Sequence, residues 1–154
     1  MEERKTSDIQ LIDVYLEYSA PEILWELLKD RLNTSCGNIS HKDMPEYHEH
    51  IEFYAGIPYK YWDLIRSNNK FIGAIYLSYN NEIGLHLFTE FNSKEIKYSI
   101  LHCFLSKYKP LHEMKGVRRD CFLVNLGPED SETKEVLERF NFRHIQNTYA
   151  LISS

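Results

Sequence analysis

The chain has 154 residues, 43% apolar and 14% aromatic, enough for one sizeable core and too few for two domains of ordinary size. Its formal net charge of −5 excludes the broad basic face of a general nucleic-acid binder. No run approaches the roughly 20 apolar residues of a membrane span, and the charged start Glu2-Glu3-Arg4-Lys5 is no secretory leader, so one cytoplasmic domain over residues 1–154 is expected.

Ile9 to Tyr18 alternates as a strand does, and Pro21 then opens a helical stripe through Leu24, Leu27, Leu28 and Leu32. Asn33 to Met44 is polar and turn-rich. Asp43 and Pro45 mark the start of a second helix that runs to Gly56. Tyr59 to Ile65, Phe71 to Tyr79 and Glu82 to Phe88 read as an antiparallel meander with turns at Asn68-Asn69 and Asn80-Asn81. Helical spacing returns from Lys94 to about Tyr108, with Ile96, Ile100, Leu101, Phe104 and Leu105 on one stripe and Pro110 as the stop. Cys121 to Asn125 is a short apolar strand, Ser131 to Phe140 a helix, and Arg143 to Leu151 a last strand. The order predicts an α/β (α+β) domain: a mixed, mostly antiparallel sheet of about six to seven strands with helices on both faces. A crevice is expected where the strand ending at Phe88 parts from the strand ending at Asn125.

Asn92-Ser93-Lys94-Glu95-Ile96-Lys97-Tyr98 joins a strand to a helix N-terminus, where free N–H groups and the helix dipole favour an anion such as a phosphate. Lys94 and Lys97 add positive charge, but Ser93, Glu95 and Lys97 stand where a phosphate loop usually carries glycine.

Seven histidines raise the question of a metal, with His41, His48 and His50 the closest group. His48 and His50 point to different faces of a helix and no ligand spacing completes a set, so no metal is expected. The three cysteines, Cys36, Cys103 and Cys121, lack paired spacing and read as reduced thiols; nothing ties a histidine and an acid to Cys36 on its loop. Tyr54, Tyr59, Tyr61 and Trp62 are either core or the wall of a ring-binding pocket.

Ile72-Gly73-Ala74-Ile75-Tyr76-Leu77, Asn81-Glu82-Ile83-Gly84-Leu85-His86-Leu87-Phe88 and Glu138-Arg139-Phe140-Asn141-Phe142 together resemble the third strand, fourth strand and late turn of the GNAT acyltransferase superfamily. The early helix Pro45 to Phe53, after Ile39-Ser40-His41, resembles members that acetylate amino groups of nucleotide-linked sugars. The resemblance implies a fourth and fifth strand splayed apart, with acetyl-CoA as cosubstrate in the gap. Its pyrophosphate would lie on Asn92, Ser93, Lys94, Glu95, Ile96 and Lys97, beside Tyr98. Asn125 would bond the pantetheine arm, and the N–H of Leu87 or Phe88 would hold the oxyanion.

The same resemblance implies N-acetyl transfer to a small-molecule amine, an amino sugar among the candidates, with Glu82 as base and His86, His41 and Tyr76 as further candidates. Tyr149, Tyr98 or water would supply the proton that a tyrosine gives in many members, because the aligned position here is Leu137. Gln146 and Tyr149 would present polar groups to the acceptor, together with His41 and Tyr76, and late strands would form a homodimer. Two alternatives stay open. One is a noncatalytic interaction or regulatory module that has lost productive CoA binding; the other is a fold that takes a different phosphorylated ligand through Lys94 and Lys97.

Overall fold

A computed structural model describes residues 8–33 and 43–153. Four strands form one antiparallel sheet in the order β1-β2-β3-β4: β1 Ile9–Asp13, β2 Tyr61–Ser67, β3 Lys70–Leu77 and β4 Ile83–Leu87. Helices α1 Ala20–Asn33 and α2 Tyr47–Ala55 follow β1, α3 Lys94–Lys107 follows β4, and α4 Ser131–Arg139 comes last. Among the described residues no helix is long and apolar enough to cross a membrane.

Local chemistry sets most of the boundaries. The β2–β3 hairpin turns on Asn68 and Asn69, both with positive φ (51° and 63°), the conformation a two-residue turn needs to match strand twist. The Ser93 side chain caps α3 by accepting from Ile96 N, and Asp130 caps α4 by accepting from Thr133 N. Helix α4 ends as Asn141 takes φ 65°, with Asn141 N and Phe142 N bonded back to Glu138 O and Leu137 O, so asparagine fills a slot that glycine commonly takes.

Strand alternation divides the core in two. Ile65, Ile75, Leu77 and Ile83 face α3 and α4 and pack with Ile100, Phe104 and Val136, while Trp62, Leu64 and Ala74 face α1 and α2 and pack with Leu24 and Leu27. One bulge adjusts this pattern. Ile65 pairs with Gly73 and Arg66 with Phe71, leaving Ile72 as the extra residue; Ile72 joins the α3 side and Phe71 the α1 side. Burial of each fully enclosed residue such as Phe104 or Ile75 contributes roughly 2–3 kcal/mol.

The sheet is narrower than the sequence predicts. The first strand stops at Asp13, whose carboxylate accepts from Tyr15 N and folds Val14–Leu16 into a 3-10 turn. Cys121 to Asn125 makes one parallel bridge, Leu123 to Glu82, in place of a strand. Arg143 to Leu151 forms no strand either, and Ile145, Tyr149 and Leu151 are exposed. Among the described residues there are therefore four strands rather than six or seven.

Candidate active site

At the outer edge of β4, Ile83 N donates to Leu123 O and Leu123 N to Asn81 O, both at 2.8 Å, and the pairing ends there. Alternation places the N–H and C=O groups of Leu85 and Leu87 on the edge that Ile83 uses, and no described residue bonds to them. The backbone edge along the second half of β4 is thus without a partner among the described residues. Of the two N–H groups expected to hold an oxyanion, Phe88 N is committed to Ile72 O at 3.0 Å, whereas Leu87 N lies on the open edge.

Asn81 fixes where the Leu123 segment meets the start of β4. It is fully buried with φ 64°, its Nδ2 donates to Leu111 O and Arg119 O, and its Oδ1 accepts from Leu111 N. One side chain thus ties the incoming loop to the start of β4. The left-handed turn lets its own carbonyl receive Leu123.

The start of α3 differs from expectation in its cations. Lys94 Nζ pairs with Glu135 at 2.6 Å; the buried Lys97 reaches Thr133 Oγ1 at 2.9 Å and Glu132 at 3.9 Å. Both lysines serve the packing of α3 on α4. Hydrogen bonding to Glu135, then its charge, raises the Lys94 pKa, and the same contact lowers that of Glu135. Ser93 Oγ is taken by Ile96 N, and Lys97 N bonds Ser93 O, which leaves the N–H groups of Lys94 and Glu95 at the helix start for a ligand. Asn92 is exposed beside them, and Tyr98 stacks on Phe140 at 4.7 Å, turned to α4.

On the α1–α2 face lies a cavity of about 270 Å³ between those helices and strands β2 to β4. Its walls include Phe53, Tyr59, Trp62, Tyr76 and His86, with Arg31, Glu49 and His50 as further polar members. Tyr59 and Tyr76 stack at 3.8 Å and 7°. Tyr76 can lie flat because Gly84 is opposite: a Cβ there would overlap the Tyr76 ring.

Burial dominates the electrostatics of this cavity. It pulls His86 down from 6.5 to about 3, helped by the Arg31 charge, so the imidazole is neutral and a poor base at neutral pH. Burial also lowers Arg31 and raises the Tyr59 and Tyr76 phenols. Glu82 stands two residues before Gly84 on the same face, and its charge adds a smaller upward push on Tyr76. Glu82 holds its backbone place through Ser78, whose Oγ accepts from Glu82 N at 3.0 Å.

The structure brings Tyr76, His86, Tyr59 and Trp62 together around one cavity, with Glu82 near enough for its charge to act on Tyr76 and Leu87 on the adjoining edge. It does not bring Tyr149 or Gln146 to the cavity: both lie in the unpaired segment after α4, where Tyr149 is 89% exposed. Asn125 is exposed, two residues beyond the Leu123 bridge. Tyr61 stacks on Tyr108 on the opposite face, and Tyr54 donates to Val14 O. Leu137 is buried in the α3–α4 core. His41 and Cys36 lie outside the described residues. His50 bonds Pro21 O at 2.9 Å, and among the described residues no three His, Cys, Asp or Glu side chains group to hold a metal.

Sequence reasoning missed Arg31, Glu49 and Phe53. Their helices were read by apolar stripe, and all three sit beside that stripe, where spacing carries no sign of a shared cavity.

Neither a protein-family model nor a curated protein matches the sequence. Solved structures match in three dimensions. RimL, a ribosomal alpha-N-protein acetyltransferase in complex with coenzyme A, aligns at TM-score 0.61 and 16% identity over 85% of this chain and 77% of its own. A domain from Methanocaldococcus jannaschii DSM 2661 aligns at TM-score 0.65 and 15% identity over 92% of both chains. A possible acetyltransferase from Clostridium difficile 630 aligns at TM-score 0.56 and 10% identity over 96% and 97%.

Proposed function

From the GNAT acetyltransferase fold that these structures share with the chain, we propose that the protein transfers an acetyl group from acetyl-CoA to the primary amine of a small molecule. The observation that carries this reading is the placement of an unpaired backbone edge, Leu85 to Leu87, against a cavity whose wall includes His86 between them. An extended pantetheine arm carries amides that can pair with such an edge as a strand would. The acceptor would occupy the cavity.

The neutral amine would attack the thioester carbonyl and form the C–N bond, and collapse of the resulting tetrahedral intermediate would break the C–S bond. The carbonyl oxygen, negatively charged in the tetrahedral intermediate, would take the Leu87 N–H. Glu82, through a water, would accept the proton lost by the amine, and the CoA thiolate would take one from solvent, giving amide and free thiol. Leu137 takes no part, since it is core. The pyrophosphate would meet the Lys94 and Glu95 N–H groups without a free lysine, so affinity for CoA would rest mainly on the β4 edge.

Calorimetric titration with acetyl-CoA tests the proposal. Saturable binding together with thiol release in the presence of an amine is expected. Absence of binding at millimolar acetyl-CoA overturns it, and binding without turnover on any amine points instead to a CoA-binding module.

A further inference from the structure

The chemistry of the cavity walls discriminates between acceptor classes. Among the polar residues of the wall, His50 is bonded to Pro21 O and Arg31 is already engaged. The other polar groups are Glu49, His86 and the Tyr59 and Tyr76 hydroxyls, against an apolar majority that includes Leu24, Leu27, Phe53 and Trp62. A polyhydroxylated sugar would set most of its hydroxyls against that apolar majority, where a polar group without a partner is disfavoured. An aromatic ring meets the opposite situation. Phe53 stands edge-on to Tyr59 at 5.8 Å and to Trp62 at 6.0 Å, and Tyr59 meets Trp62 at 90° and 5.0 Å, so the walls present ring faces and edges to whatever enters. A volume of about 270 Å³ holds one ring and a short chain and is too small for a nucleotide-linked sugar.

We infer that the acceptor is an arylalkylamine, its ring held among Phe53, Tyr59 and Trp62 and its amine directed to β4 beside His86. This rests on the acetyl-transfer reading above. The neutral His86 and the carboxylate of Glu49 are then the wall groups able to bond an ammonium or amine without competing for the ring.

Calorimetry with 2-phenylethylamine and with glucosamine, each with and without CoA, tests this on the full chain. Binding of 2-phenylethylamine at least about tenfold tighter than glucosamine is expected. Phe53 is 48% exposed and therefore tolerant of change, and Phe53→Ala should weaken 2-phenylethylamine about fivefold or more. Phe53→Leu, which keeps an apolar wall, should restore part of that loss and serves if the alanine variant does not fold. Equal or tighter binding of glucosamine, no binding of 2-phenylethylamine under either condition, or a Phe53→Leu variant as tight as the native chain overturns the inference. Failure of transfer itself would show separately, as absent acetyl-CoA binding, and preferential 2-phenylethylamine binding would still support the aromatic ligand.

Discussion

Tyr76 lies across Gly84, ring over backbone, and this pairing of a tyrosine on β3 with a glycine on β4 shapes the cavity wall. The glycine matters for the space it leaves empty. Gly84→Ala should push the Tyr76 ring off its stack with Tyr59, cost about 1–3 kcal/mol in urea denaturation, and raise the acceptor KM about tenfold or more. An unchanged KM would mean that the stack does not form the acceptor wall.

Asn81 combines full burial, positive φ and three side-chain hydrogen bonds to the loop that leads to Leu123. Asn81→Ala should destabilise the protein by about 3 kcal/mol, since it leaves Leu111 N–H and two carbonyls unpaired and strains the backbone. Asn81→Gly removes the bonds without the strain and should recover about 1 kcal/mol of the loss. Equal midpoints for native and alanine chains in urea would refute this account.

His86 supplies a pH dependence. Its folded pKa, about 3, lies below its ordinary 6.5, so the folded state refuses a proton that the unfolded chain accepts. Stability from this group is complete above pH 6.5 and is lost as pH falls from 6.5 toward 3, with a slope of at most about 1.4 kcal/mol per pH unit. His86→Gln should flatten the loss of stability between pH 6.5 and 4.5 in urea melts. A slope identical to that of the native chain would show that His86 ionises freely.

Lys94 is held by Glu135, and both side chains are partly exposed. Glu135→Gln should release the lysine toward the α3 N-terminus and tighten acetyl-CoA by about two- to fivefold at low salt, an effect that added salt should erase. Calorimetric affinities that do not change would place the pyrophosphate away from this helix start.

Glu82→Gln should lower kcat/KM at neutral pH and leave acetyl-CoA affinity unchanged, because the group acts on the amine and not on the thioester. A pH–rate profile that coincides with that of the native chain would remove Glu82 as base.

Much of the fold is legible in the sequence because its signals are local. The stripe Ile96, Ile100, Leu101, Phe104 marks α3, Asn68-Asn69 marks the hairpin, and the meander of β2 to β4 follows from alternation. The site is legible only in part. Tyr76, His86 and Glu82 are named by their place on strands, but the neutrality of His86 depends on walls supplied by α1 and α2, and the engagement of Lys94 and Lys97 depends on α4, more than 30 residues away.

By itself the sequence determined the helices and the hairpin turns, because a helix satisfies its hydrogen bonds within its own segment and a tight turn within four residues. The cap expected at Asp43 is not formed, since the second helix starts after Glu46 with no side-chain cap. Tertiary structure alone decided which strand-like segments outside the meander of β2 to β4 find a partner, since a strand needs an edge provided from elsewhere. Cys121 to Asn125 finds such an edge only at Leu123, and Arg143 to Leu151 finds none, although both carry strand-like patterns. The same dependence leaves the edge at Leu85 and Leu87 bare, where backbone groups of β4 have no partner among the described residues.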